Sequence, residues 1–396
     1  MTPASYRVLA AVRRVLGTRH PEPVALHEPS FQGREWEYVR DCLDTGWVSS
    51  AGGYVDRFEE SLAEYTGVRH AVAVVNGTAA LHVALLLAGV EEEDEVLVPA
   101  LTFVATANAV SYCRAIPHFV DIGEDTLGLD PEKLETHLRK NSIREGEECR
   151  NLRTGRRIRA VVPVHTFGHP VDLDGLTGVC QRHGLAMVED AAEAMGSLYR
   201  GQHVGRWGRV SILSFNGNKV ITTGGGGAIL TEDDDLADHG RHLTTTGKVP
   251  HPWRYFHDTV AFNFRLPNIN AALGCAQLER LEELLRRKRA LASRYREALA
   301  GVPGIQFVQE PPFARSNYWL NAILLDEVHA AERDEVLRLS NAEGFSTRPA
   351  WDLLCDLPMY ARCPAADLST SRSVQGRLVN LPSSPGLGPG QAPDRT

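Results

Sequence analysis

The sequence predicts an α/β fold: a mostly parallel seven-stranded sheet covered by helices, followed by a smaller C-terminal α+β domain. Three observations predict it. Short apolar runs recur through the first 230 residues, and most are continuous rather than alternating, as in strands buried on both faces. Stretches of helical periodicity lie between them, and strand–helix alternation of this kind builds a parallel sheet between helix layers. After about residue 250 the pattern changes to one long amphipathic helix and then a short strand–helix–strand pattern. At 396 residues the chain exceeds a typical single domain.

Taken in order, residues 1–25 are expected to form an N-terminal helical extension. Short apolar stretches alternate there with Arg7, Arg13 and Arg14, and the longest is too short for a secretory signal core, so a cytoplasmic protein is expected. The large domain is assigned to 26–250. Its strands are predicted at Ala71–Val75, Glu95–Val98, Ile116–Val120, Ala160–Val164, Leu185–Val188, Val210–Ser214 and Gly227–Leu230. Its helices are predicted at Ala79–Ala88, Thr102–Tyr112, Pro131–Lys140 and Leu173–His183. Ala71–Val90 has no formal charge and nearly the length of a membrane span, but Asn76-Gly77-Thr78 interrupts it with turn chemistry, so it reads as strand, turn and helix, with no membrane association.

The small domain is assigned to 251–385. Leu278, Leu281, Leu285, Leu291, Tyr295 and Leu299 make the stripe of a single helix over Gly274–Ala300, stopped by Gly301-Val302-Pro303-Gly304. A strand near Asn317–Leu325, a helix over Ala330–Asn341 and a strand around Phe345–Thr347 follow. Residues 386–396, rich in Gly and Pro, are expected to be disordered.

Composition narrows function little. Lys plus Arg is 42 and Asp plus Glu is 50, so the formal charge is −8, which excludes a strongly basic nucleic-acid binder. Seven dispersed cysteines without a C-x-x-C pattern suit reduced thiols. The charged segment Arg144–Arg159 reads as a solvated surface excursion, and Glu232–Asp238 as a solvated helix start lacking the glycine and final glutamate of a calcium loop. His165 and His169 are four apart, but Gly168 and Pro170 break any helix between them, so no metal site is expected.

Three clusters at strand ends could carry chemistry. Asn76-Gly77-Thr78 follows a strand and opens a helix, whose free amides and positive partial charge suit a phosphate; an ordinary capped helix start is the alternative. Asp190 follows the next such strand in VEDAAEAMGS, where a carboxylate can pair with a protonated ring nitrogen or cap a helix, and the alanines admit a flat ring. Ser214 ends a third, and five residues later Lys219 lies in an Asn/Gly loop before Gly224–Gly227. A lysine in a restrictive pocket can lose its proton and attack a carbonyl.

Together with VNGTAALHVAL, VPALTFVATANAV, VVPVHTFGHPVDLD, SFNGNKVITTGGGGAIL, FNFRLPNINAALGCAQLE, SNYWLNAILL, TRPAW and LPSSP, these clusters make the chain resemble the DegT/DnrJ/StrS family of pyridoxal-phosphate-dependent sugar aminotransferases. The matches run in family order over about residues 26–385, and HEPSFQGREWEYV and DTGWVSSAGGYVDRFEE resemble its LegC-like branch. The resemblance implies the aspartate-aminotransferase (type I) fold and a homodimer with shared active sites. It implies that Lys219 holds pyridoxal 5′-phosphate as a Schiff base and moves the substrate proton. It places Asp190 at the ring nitrogen, Phe103 and Ala192 on opposite ring faces, and Gly77, Thr78 and Ser214 at the phosphate, joined by Asn263 of the neighbouring subunit. The implied reaction is transfer of an amino group from L-glutamate to a nucleotide-linked keto sugar, for this branch a UDP-linked 4-keto-6-deoxy-N-acetylhexosamine of bacillosamine or legionaminic-acid type surface-glycan synthesis.

Glu193 stands beside the expected phenolic oxygen where many family members have Gln or His, and NGNK replaces His-containing variants of the lysine loop. His251, in HPWRYFHD, Trp319 and Arg348 are further candidates for substrate contact, although SNYWL also reads as a core strand. Two rivals are a sugar 3-dehydratase on the same scaffold, whose members carry His in place of the lysine, and a non-catalytic regulator or sensor. Intact Lys219 and Asp190 argue against both.

Overall fold

The computed structural model describes residues 3–18 and 22–387; the predicted tail lies outside the described residues from 388 onward. The helices in chain order are α1 (Ala4–Leu16), α2 (Glu35–Thr45), α3 (Gly53–Thr66), α4 (Gly77–Leu87), α5 (Ala105–Tyr112), α6 (Pro131–Asn141), α7 (Leu173–His183), α8 (Asp234–Thr244), α9 (Asn268–Glu279), α10 (Leu281–Leu299), α11 (Arg333–Ala342) and α12 (Ser369–Arg377). The strands are β1 (His70–Val74), β2 (Glu95–Pro99), β3 (Ile116–Val120), β4 (Ser142–Glu145), β5 (Glu148–Asn151), β6 (Arg157–Val161), β7 (Ala186–Asp190), β8 (Leu198–Tyr199), β9 (Gln202–His203), β10 (Val210–Ser214), β11 (Gly227–Thr231), β12 (Ile305–Phe307), β13 (Ala314–Arg315), β14 (Asn321–Leu325), β15 (Arg348–Pro349) and β16 (Leu378–Leu381).

The main sheet runs β1-β11-β10-β7-β6-β2-β3. Its β10-β7-β6-β2-β3 part is parallel, and β11 is antiparallel to both neighbours. These are the seven predicted strands, and nearly every residue in them is buried, because helices cover both faces. One apolar layer packs under α3, α7 and α9, the other under α4, α5 and α8. The uncharged segment after His70 is strand, turn and helix: the Asn76 side chain caps α4 by accepting from the Ala79 amide at 2.7 Å. Among the described residues no helix is long and apolar enough to cross a membrane.

Three expectations need correction. The segment Arg144–Arg159 is not an irregular excursion: β4 and β5 form a hairpin, and β5 adds antiparallel to β6. Its charges hid the strand pattern because they pair across and beside the hairpin, as Arg150 does with Glu148 (2.6 Å) and Arg157 with Asp94 (2.6 Å). The helix expected over Gly274–Ala300 is two helices that part at Arg280. The apolar stripe continues across the break, because Leu278 and Leu281 lie three apart, but the halves have different partners. Gln277 ties α9 to the start of α2 through Ser30 O (2.9 Å) and Glu35 (2.6 Å), whereas α10 packs against α1 and β12. In the small sheet, β12-β14-β16-β15, the predicted strands start later than expected, at Asn321 and Arg348; Phe345 packs in the core and pairs outside this sheet, in a parallel bridge with Val24. We propose that the boundary between the domains runs through Arg280, since α9 packs on α2 and α3, and that α1 belongs with the small domain, since it packs on α10 and α11.

Two buried carboxylates lock the large domain. Glu189 of β7 is fully buried and accepts from the amides of Gly205, Trp207 and Gly208, from Ser211 Oγ, and from His165 Nε2 at 3.1 Å. Glu59 of α3 accepts from the Ala73 amide (2.7 Å), Arg265 (2.7 Å) and Arg241 (3.3 Å), joining α3, β1 and the segment before α9. Removing one member of such a group strands a buried charge. Glu59→Ala is therefore expected to destabilise the protein by about 3–5 kcal/mol, seen as a lower urea midpoint, and adding Arg265→Met is expected to restore a substantial part of the loss.

Candidate active site

Alternation along β7 turns Asp190 away from the Glu189 knot and toward a cavity at the carboxyl ends of the parallel strands, where open α/β sheets bind ligands. The cavity measures about 340 Å³. All three clusters singled out in the sequence line it: Gly77 and Thr78 after β1, Asp190, Ala192 and Glu193 after β7, and Ser214 and Lys219 at and beyond the end of β10. Close approach dictates two of the glycines. A Cβ on Gly77 would stand 2.8 Å from Ser214 Cβ, and one on Gly227 would stand 2.6 Å from the Asn76 backbone. The amides of Gly77 and Thr78, in the first turn of α4, find no acceptor among the described residues.

Asp190 is buried, and its carboxylate is oriented by Thr106 Oγ1 (2.9 Å) and the Ala192 amide (3.2 Å). Burial pushes its carboxyl up, opposed by those two donors. Glu193 holds one oxygen on the Phe167 amide (2.8 Å) and the other 3.6 Å from Lys219 Nζ. Burial pushes the Glu193 carboxyl up to about 7, against the pull of the Lys219 ammonium and the Phe167 amide. Phe167 presents its amide from a turn with φ of 55°, and Gly168 follows at φ 93° with Asn317 so close that a Cβ would stand 1.8 Å from its Oδ1.

Trp319 closes the cavity. Its ring centroid lies 4.0 Å from Lys219 Nζ, a cation–π contact, and its Nε1 donates to Asn218 O at 2.6 Å. Asn317 fixes the turn that delivers it: Oδ1 accepts from the Trp319 amide (2.7 Å), and Nδ2 donates to the carbonyls of Glu193 (2.9 Å) and Met195 (3.0 Å). Trp319 therefore precedes β14 rather than lying within it. Phe103 also lines the cavity, half exposed, with its ring 6.4 Å from that of Trp351. Thr106, Asn317 and Trp351 escaped the sequence reading. Thr106 carried a signal, since it lies one helical turn from Phe103; the other two become neighbours only through the tertiary fold.

The remaining candidates lie elsewhere. Asn263 is exposed and pairs its backbone with Thr245, away from this cavity within the chain. His251 sits in an exposed loop and accepts from the amides of Trp253 and Arg254. Arg348 lines an adjoining cavity and donates to Asn341 Oδ1 and Thr347 O. His165 is held by Glu189, and His169 packs its buried ring edge-on against Tyr318, so the two do not share a ligand. All seven cysteines are free. Among the described residues no group of three or more His, Cys, Asp or Glu is arranged to hold a metal ion.

The chain belongs to the DegT/DnrJ/EryC1/StrS aminotransferase family, whose model it matches over residues 29–394. It is similar to GDP-perosamine synthase of Vibrio cholerae, 39% identical over 92% of this chain and 95% of that one. It is likewise similar to GDP-perosamine synthase of Caulobacter vibrioides, 39% identical over 92% and 94%. The crystal structure of S. venezuelae DesV in complex with a ketimine intermediate superposes with a TM-score of 0.80, at 33% identity, over 90% of each chain. The fold is the type I architecture of this family, a large α/β domain with a smaller C-terminal domain, and the chain is an aminotransferase.

The donor set suits pyridoxal 5′-phosphate. The glycine-lined cradle at the start of α4 leaves amides and the Ser214 hydroxyl for a phosphate, a buried carboxylate stands apart from it, and the one lysine in the cavity wall is Lys219. The raised Glu193 carboxyl gives a pH signature. Its native value exceeds the unfolded one, so the native state binds the extra proton between pH 4.5 and about 7. Its contribution to stability is full below that window and is lost as pH rises through it. For protein stripped of small molecules, the stability of the wild type relative to Glu193→Gln is expected to fall by about 3 kcal/mol between those pH values, at about 1.4 kcal/mol per pKa unit. Urea unfolding of the pair across that range measures it.

Proposed function

We propose that the chain transfers an amino group to the carbonyl of a nucleotide-linked keto sugar, with pyridoxal 5′-phosphate held in the Lys219 cavity. One observation carries the reading: a lysine amine, covered by Trp319 and 3.6 Å from a buried carboxyl, shares its cavity with an oriented aspartate and the open amides of a helix start. When bound, the cofactor supplies an aldehyde that accepts an amino group and a ring that draws electrons from the carbon bearing it.

The chain's own residues divide the remaining tasks. Gly77, Thr78 and Ser214 would hold the phosphate, with Asn263 of a second copy as a further donor, so that the proposed assembly is a homodimer. Asp190, oriented by Thr106, would keep the ring nitrogen protonated. Phe103 and Ala192 would confine the ring between them. Lys219 Nζ would carry the proton between substrate and cofactor, and the Trp319 ring lies over that amine. Glu193 would face the phenolic oxygen with a carboxyl whose protonation changes near neutral pH.

L-Glutamate is the proposed donor. A UDP-linked 4-keto-6-deoxy-N-acetylhexosamine, for surface-glycan synthesis of bacillosamine or legionaminic-acid type, is the proposed acceptor, supported by the stretches HEPSFQGREWEYV and DTGWVSSAGGYVDRFEE. The names of the GDP-perosamine synthases bring a GDP-linked keto sugar into the same comparison. Purified protein incubated with glutamate and each keto sugar is expected to form one amino sugar, identified by mass; no product from any of them overturns the reading. Lys219→Arg is expected to lower turnover by at least about a thousandfold, and borohydride treatment of the cofactor-loaded wild type is expected to mark Lys219 alone.

A further inference from the structure

We propose that a second cavity, beside the one around Lys219, seats the sugar ring of the acceptor, and that His27 and Asn380 read a neutral hydrogen-bonding substituent on that ring. This rests on the function proposed above and deepens it. The second cavity measures about 750 Å³ and shares Thr102, Phe103, Asn218, Trp319 and Trp351 with the first. A molecule seated in it lies against the same indole that covers the lysine amine.

Three features define the occupant. Much of the wall is aromatic or aliphatic: Trp351 packs 5.1 Å from Phe167, and Leu26, Leu354 and Met359 extend the surface. Flat apolar faces of this kind suit the carbon-rich face of a pyranose. Charge, by contrast, is confined to the exposed residues Arg348 and Asp352, while His27 and the buried Asn380 are neutral. Burial, reinforced by the nearby Lys288 and Lys219 side chains, holds the His27 imidazole well below the usual histidine range. Finally, both ring nitrogens of His27 and Oδ1 of Asn380 lack any hydrogen-bond partner among the described residues, although they are buried.

Buried polar atoms are nearly always satisfied, and the proposal assigns these three, on two residues that line one cavity, to a ligand's donors and acceptors. A neutral imidazole offers one donor and one acceptor, which matches a hydroxyl or an acetamido group. Both residues are held on fixed backbone. The segment around His27 is pinned by Ser383 N on Leu26 O (2.7 Å) and by Glu28 N on Ser384 Oγ (2.9 Å), and Asn380 lies in β16 between β14 and β15.

The test uses cofactor-loaded protein and two probes, the UDP-linked 4-keto-6-deoxy-N-acetylhexosamine and the GDP-linked 4-keto-6-deoxyhexose. Binding is measured by isothermal titration, KM and kcat by steady-state kinetics. His27→Phe keeps a flat ring but removes both nitrogens; it is expected to weaken binding of the preferred probe and raise its KM by at least about tenfold, with kcat at saturation changed less than about threefold. His27→Gln is expected to recover most of the loss, and Asn380→Leu to behave like His27→Phe. Unchanged affinity in both His27→Phe and Asn380→Leu overturns the proposal, as does wild-type protein that binds neither probe. If the wild type binds a probe in a His27-dependent way but forms no amino sugar, this proposal stands and the proposed function fails. If it forms amino sugar with no dependence on His27, the reverse holds.

Discussion

The fold around the cavity depends on a buried carboxylate that takes no part in the cavity itself. Glu189 accepts three backbone amides, one hydroxyl and the His165 ring, and these bonds bind the loop before β10 and the segment after β6 to the middle of β7. Burial pushes its carboxyl up, but the bonds outweigh that penalty and hold it below the usual range, so it stays ionised and needs every donor. Because successive strand residues face opposite ways, fixing Glu189 on one side of β7 presents Asp190 to the other. Two adjacent acids thus carry opposite duties. One is saturated with donors and structural; the next has two donors and an open side.

A second dependence runs across the domains. Trp319 comes from the turn before β14 in the small sheet, yet its indole covers Lys219 and its Nε1 holds the Asn218 carbonyl beside it. Asn317, in the same turn, donates to the carbonyls of Glu193 and Met195. The lysine loop and the Glu193 turn are therefore held from the small domain. Lys288 of α10 reinforces this from behind, donating to Trp319 O (3.1 Å) and Ser383 O (2.7 Å), and burial drives its amine well below the ordinary lysine value. The break at Arg280 serves the same arrangement, since it lets α9 lie on the large domain while α10 carries Lys288 to the turn.

Much of the architecture was legible in the sequence because it rests on local signals. Continuous apolar runs located all seven strands of the main path, and Asn76, Asp190 and Ser214 could be found because each stands at or just past the end of such a run. The β4–β5 hairpin was not legible, since its side chains pair with one another and with neighbouring charges instead of a core, and so leave no apolar alternation. The helix break was hidden because the apolar spacing passes through it unchanged.

The sequence by itself determined the seven strands of the main path, the helices read between them, the glycines required by close approach, and the lysine, aspartate and helix start of the candidate site. These follow from period, turn chemistry and residue type, which act over a few neighbours. Only the tertiary structure decided that Trp319 covers the amine, that Thr106 steers Asp190, that Glu193 titrates near neutrality, and that His27 and Asn380 share one cavity wall. Residues 27 and 380 stand at opposite ends of the chain. Burial and contact between such positions depend on how whole domains pack, and no local pattern encodes them.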